Sequence, residues 1–205
     1  MRYPEFRNHF KLFPLFSTDD IYKIDPGFDK RRLVEWQEKN YLLKIANGYY
    51  TFTEHKQDEQ FIYLVSNKIY QPSYVSLESA LAYYGFIPEG VFTVTGVSTL
   101  KTKDFSSSTD SFSYRKLKED YFFGYALLPA GKTYFKMALP EKALLDYLYF
   151  HRSVNTEEEF EHLRFNKNVI VKSITRRKIN SFGRQFNNSR LSQQIDSLLN
   201  YLYHA

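Results

Sequence analysis

Three groups of side chains in this sequence have types and spacings on which chemistry could be built. Glu141 and Asp146 lie in one short stretch, EKALLD, with Lys142 between them. Two nearby carboxylates can serve a nuclease or a transferase by general acid–base work. Their spacing matches no nuclease signature, however, and Glu141 already has a role beside the positive end of a helix that Pro140 opens. His162 follows Glu158 by four residues and Glu159 by three, which would put an imidazole and a carboxylate on one helix face, as in part of a metal site. That pattern is commoner as a solvated surface, and the other histidines (His9, His55, His151 and His204) are scattered. There is no cysteine, so thiolate metal sites and disulfides are excluded. Gly90, Gly96, Gly124 and Gly131 stand alone as turn or bulge glycines, without a phosphate-cradling loop, and no nucleophile elbow occurs. The expectation is a protein without catalysis, metal or cofactor.

The third group is cationic. The formal net charge is only +5, so placement matters more than size. Residues 1–70 hold eleven Lys and Arg against ten Asp and Glu, close to neutral. Residues 163–191 hold eight cations (Arg164, Lys167, Lys172, Arg176, Arg177, Lys178, Arg184 and Arg190) and no acid. Lys172, Arg176, Arg177, Lys178 and Arg184 therefore form a candidate basic surface for DNA, RNA or an acidic protein, which Lys101 and Lys103 could extend. The plainer alternative is a solvated helix lying beside acids such as Glu157, Glu158 and Glu159.

The elements that would position these groups follow from periodicity and punctuation. Phe6, Phe10 and Phe13 mark a first helix ended by Pro14. Ser17 or Thr18 caps a short second helix with Asp19 and Asp20 in its first turn. After the DPG turn at 25–27, Asp29 is placed to cap a third helix over residues 30–39, with Asn40 as its stop. YLLKI-ANG-YYTF (41–52) then reads as two strands around a glycine-containing turn. Helix, helix, turn, helix and hairpin is the order of a winged helix-turn-helix, whose third helix fits a major groove while the hairpin tip reaches backbone or minor groove. The expected DNA contacts are Lys30, Arg31, Arg32 and Lys39 on the helix, with Lys44 and Asn47 on the wing. Trp36 reads as core. Glu35 and Glu38 would repel phosphate unless paired, and Arg31 with Glu35 has the spacing for a pair. The same fold can also serve for protein docking.

The domain boundary is expected near residues 54–70, as a connecting helix running into a strand of the second domain. Alternation over 91–95 and 100–103 predicts an antiparallel sheet with one wet face. It would be built from segments 91–95, 99–105, 111–117, 121–127 and 132–138, with an exposed loop at 106–110. In YVSLESALAYYGFIPE (74–89), Ser76 sits at an N-cap position, Leu77, Ala80, Leu81 and Tyr84 repeat at helical spacing, and Gly85 closes the helix. MALPEKALLDYLYF (137–150) reads likewise, followed by helices over 156–164, 173–184 and 189–203. The predicted class is α+β: a winged helix-turn-helix in residues 1–68, then a mixed domain in 69–205 with an antiparallel sheet and C-terminal helices.

These two phrases, with VFTVTGVSTLKTKDF (91–105), FSYRKL (112–117) and YFFGYALL (121–128) between them, resemble the AbiEi-type antitoxins in wording and order. These are the repressor half of bacterial abortive-infection, type IV toxin–antitoxin systems of phage defence. The resemblance covers nearly the whole chain. It implies a transcriptional regulator that binds inverted repeats of double-stranded DNA in its own promoter. It also implies that the protein counters a nucleotidyltransferase-like toxin without forming a stable complex with it. The rival expectation is an interaction protein whose basic C-terminal face binds a toxin or RNA directly, with the winged helix used for docking; a cryptic nuclease is a remote third. No apolar run approaches the ~18 residues of a membrane span, and residues 1–11 lack the apolar centre of a signal peptide. A cytoplasmic bacterial protein, away from membranes, is the expectation.

Overall fold

A computed structural model describes residues 1–106 and 110–203. It begins with α1 (Tyr3–Phe10), β1 (Phe16–Ser17), α2 (Thr18–Ile24), α3 (Arg31–Glu38), β2 (Leu42–Ala46) and β3 (Tyr49–Phe52). Phe6 and Phe10 face inward from α1, but Phe13 lies beyond the helix and is exposed. The reason is Pro14, which disfavours helical backbone at the residue before it. At α2, the Ser17 hydroxyl accepts from the Asp20 N–H at 3.1 Å and the Asp20 carboxylate accepts from the Ser17 N–H at 3.0 Å, a reciprocal capping box. The third helix starts one residue later than expected. Asp29 takes the Arg31 N–H at 3.0 Å, while Lys30 holds the cap position without a side-chain cap. Asn40, at φ 58°, ends the turn in the left-handed region.

β1, β3 and β2 form a three-stranded antiparallel sheet in that order. Its inner face and the three helices enclose a core of Phe6, Phe10, Phe16, Ile21, Phe28, Leu33, Trp36, Leu42, Tyr50 and Phe52. The Phe6 ring lies 4.6–6.0 Å from five other rings, the separations at which aromatic edges and faces attract. Leu43 and Ile45 alternate with Leu42 along β2 and pack instead on a second, larger core.

The larger core begins with α4 (Glu59–Ile69), capped by Asp58, which leads into β4 (Ser73–Val75) and α5 (Leu77–Tyr83). Then come β5 (Thr93–Ser98), β6 (Lys103–Ser106), β7 (Ser111–Lys116), β8 (Tyr125–Ala130) and β9 (Thr133–Ala138). These strands form a six-stranded sheet in the order β6-β7-β5-β4-β9-β8. It is mixed, which corrects the antiparallel expectation: β5 with β7 and β4 with β9 run parallel. The chain reverses from β5 into β6 and again into β7, so β7 regains the direction of β5 when it docks beside it. Strand alternation also misled at two ends. β5 starts at Thr93 and leaves Phe92 exposed, while Leu100 and Lys101 lie outside β6. Residues 107–109 of the expected loop, and His204, are outside the described residues.

The helical remainder comprises α6 (Pro140–Phe150), α7 (Glu157–His162), α8 (Lys167–Ser173), α9 (Arg176–Gln185) and α10 (Ser189–Tyr203). The helix expected over 173–184 is two elements: Ser173 ends α8, and the Thr175 hydroxyl caps α9 by accepting from the Lys178 N–H. The chain is thus a mixed α+β protein. Among the described residues no helix is long and apolar enough to cross a membrane.

Candidate nucleic-acid interface

Leu33 and Trp36 anchor α3 in the smaller core, and this fixes which face the helix turns outward. Lys30, Arg31, Val34, Glu35, Glu38 and Lys39 lie on the exposed side, with Arg32 half-buried. The hairpin stands beside them. Its exposed Lys44 lies on β2 and Asn47 at the tip, next to Gly48 in the left-handed region. The tip is held from two sides: the Thr18 N–H donates to the Gly48 carbonyl at 2.9 Å, and the Tyr49 hydroxyl donates to the Lys68 carbonyl at 2.8 Å. All six predicted contact residues are thus on one helix and the hairpin that follows it.

Their electrostatics differ from the expected pairing. Arg31 does not meet Glu35; its guanidinium holds the Asp29 carboxylate at 2.8 Å, and Glu35 pairs with Lys39 at 2.6 Å. Asp29 precedes the helix, so an arginine in the first turn folds back on it with fewer bonds to fix than a reach along the helix. The Arg31 hydrogen bonds hold the Asp29 carboxyl below its usual value, and the Lys39 hydrogen bond does the same for Glu35, with Arg32 assisting at both. Lys30 lies 5.4 Å from the Tyr22 ring centre. All these pairs are exposed and therefore readily exchanged for another anion.

The C-terminal cations are only partly gathered. Lys172 on α8 and Arg176, Arg177 and Arg184 on α9 are exposed. Arg176 stacks over the Tyr203 ring at 4.1 Å, and Arg184 donates to the Asn180 carbonyl. Lys178 is committed elsewhere, 2.9 Å from the buried Glu141 carboxylate. Lys101 and Lys103 do not join this group. Lys101 precedes and Lys103 opens the outer strand β6, whereas α9 reaches the opposite edge of the sheet, where Phe182 meets Phe123 just before β8.

Glu141 and Asp146 do not face one another across a shared site. Glu141 points to the start of α9, where it binds Lys178 and accepts from the Thr175 N–H at 3.3 Å. Asp146 is fully buried and accepts from Lys142, from the Tyr74 hydroxyl at 2.9 Å and from the Ser76 hydroxyl at 2.8 Å. Ser76 consequently caps nothing, contrary to its position in sequence. This cluster joins α6 to β4, and both Asp146 oxygens are engaged within it. His162 lies 3.8 Å from Glu158 on an exposed face, and no group of three metal-ligating side chains occurs among the described residues. Sequence reading missed the Tyr74–Ser76–Lys142–Asp146 group. Only the i,i+4 spacing of Lys142 and Asp146 signalled part of it.

No protein-family model matches the chain, and no curated protein does either. Among solved structures, the crystal structure of the RV2827C protein from Mycobacterium tuberculosis is similar, with a TM-score of 0.62 and 12% identity. The likeness covers 97% of this chain and 75% of that one. At that identity it concerns the fold, and it extends the mixed α+β arrangement over nearly the whole chain.

Proposed function

We propose that the chain is a cytoplasmic, sequence-specific DNA-binding repressor of the AbiEi antitoxin type. In this reading residues 1–68 form a winged helix-turn-helix that reads the promoter of its own operon, and residues 69–205 serve in countering a nucleotidyltransferase-like toxin. The observation that carries the DNA reading is the run of Lys30, Arg31, Arg32 and Lys39 on the outward side of α3, followed at once by a hairpin bearing Lys44 and Asn47. A helix of two turns with cations in its first turn suits the major groove, and a hairpin tip suits backbone or minor groove. The work is binding: phosphates displace Asp29 and Glu35 from their cations, and a second copy takes the other half-site of an inverted repeat.

Fluorescence anisotropy with duplex DNA from upstream of the gene tests this. Arg31→Ala with Arg32→Ala should weaken binding by about tenfold or more, at two lost charge-assisted contacts, without changing the melting temperature. Wild-type affinity in that variant would sink the assignment of α3. A second reading has its own observation, the exposed Lys172 and Arg177 in a stretch without acids. There the basic face binds the toxin or RNA directly. Arg177→Glu then abolishes co-purification with the neighbouring gene product while promoter binding stays intact.

A further inference from the structure

A cleft of about 300 Å³ opens where the two cores meet. Three separate chain segments line it: the end of α1, the approach to α4, and the turn between β8 and β9. Each contributes an exposed lysine, namely Lys11, Lys56 and Lys132. Beneath them lie the buried Phe61 and Leu64 and the half-exposed Leu12. The one carboxylate in the lining, Asp58, is already engaged: it accepts from the Phe61 N–H at 3.0 Å and lies 3.8 Å from Lys56. His55 also lines the cleft, and its Nε2 atom is shut off from solvent without a hydrogen-bond partner.

We propose that this cleft binds a small organic phosphate with a flat apolar body, of nucleoside monophosphate size. The lysines come from segments distant in sequence and line one cleft, giving three cations against the single carboxylate of Asp58. Ammonium groups act on phosphate as point charges and need no bidentate geometry. The apolar floor of Phe61, Leu64 and Leu12 takes the base. The volume lies at the lower end of ligand pockets, which suits a mononucleotide and excludes a dinucleotide. No lining residue belongs to α3 or the hairpin, so this site stands or falls independently of promoter binding.

Thermal shift and calorimetry on the full chain test it, with adenosine 5′-monophosphate as probe and adenosine and inorganic phosphate as controls. At about ten times its dissociation constant the nucleotide should raise the melting temperature by about 3 °C, and each control should do markedly less. Lys11→Glu with Lys132→Glu should lower nucleotide affinity by about tenfold and leave the unliganded melting temperature in place. Arg115→Glu with Lys116→Glu on β7, which changes net charge equally, should leave affinity unaltered. The proposal is overturned by no nucleotide shift, by inorganic phosphate or adenosine matching the nucleotide, or by both charge-reversal pairs behaving alike.

Discussion

Lys142 and Asp146 are, among the described residues, the ion pair in which neither side chain meets water. Burial pushes the Lys142 ammonium down and the Asp146 carboxyl up, so each charge persists only because the other and two hydroxyl donors compensate it. Removing one partner strands the other in an apolar core, which costs about 3 kcal/mol or more, whereas replacing both with apolar groups of similar size costs far less. Lys142→Met should therefore lose about 3 kcal/mol in urea unfolding, and Lys142→Met with Asp146→Leu should regain only part of it, because the Tyr74 and Ser76 hydroxyls lose their acceptor. Equal losses in single and double variants would show that packing, not charge, holds α6 to β4. Ser17 makes the opposite kind of contribution, local and partly exposed. Burial alone would raise the Asp20 carboxyl, but the hydrogen bonds from Ser17 and the contact with Lys23 together outweigh it and leave the group lowered. A lowered carboxyl stabilises the fold above the unfolded value of about 4, and that contribution disappears as pH falls through the folded value. Ser17→Ala should cost about 1 kcal/mol at pH 6, and the gap to wild type should narrow but not vanish below about pH 4, because the Ser17 hydroxyl still accepts from the Asp20 N–H.

Two glycines at element contacts have opposite expected consequences. A Cβ at Gly96 on β5 would sit 2.8 Å from the Tyr74 carbonyl oxygen, which is backbone of the neighbouring strand and cannot move without opening the sheet. Gly96→Ala should lose about 2 kcal/mol by thermal or urea unfolding. A Cβ at Gly183 on α9 comes closer still, to Ile195 Cδ1, yet that atom is the end of a flexible side chain on α10. Its displacement is offset by about 1 kcal/mol of helix propensity, so Gly183→Ala should be near neutral in the same measurement. Neither outcome follows from the sequence, since both depend on which element lies opposite. The helix boundaries that were legible are those set by local chemistry: Ser17 with Asp20, Pro140, Thr156 with Glu159, and Gly85 in the left-handed region. Strand partners are a property of distant segments. The parallel pairing of β4 with β9 brings Tyr74 and Ser76 to Asp146 across about seventy residues, and no spacing announces it. Ser76 looked like a cap because it precedes an apolar helical period, which is true of many serines whose hydroxyl finds a better acceptor. The candidate contact residues on α3 and the hairpin were legible because they lie within one contiguous stretch. Their ion-pair partners were not, because Arg31 can reach either Asp29 or Glu35.

For the whole molecule, the modest net charge and the acids on α3 determine how DNA binding should respond to its surroundings. A protein that neutralises about three phosphates loses affinity with salt at a slope near −0.9 per phosphate, so log affinity against log salt should fall with a slope of about −3. Four cations and three carboxylates (Asp29, Glu35 and Glu38) share the segment from 29 to 39, so phosphate contacts by Arg31 and Lys39 compete with their pairs to Asp29 and Glu35. Releasing that competition should strengthen binding. Glu35→Gln frees Lys39 from its 2.6 Å partner, and because exposed helix pairs contribute only about 0.5 kcal/mol, affinity should rise about twofold. Asp29→Asn should act in the same direction through Arg31. Both carboxyls are held below their usual values by the cations beside them, so they stay ionised from pH 8 down to about pH 5. Wild-type affinity should accordingly be flat across that window and rise only on further acidification, when Asp29 and Glu35 protonate. A titration in which Glu35→Gln weakens binding, or in which affinity changes steeply between pH 6 and pH 8, would count against α3 as the DNA contact and favour the exposed cations of α8 and α9.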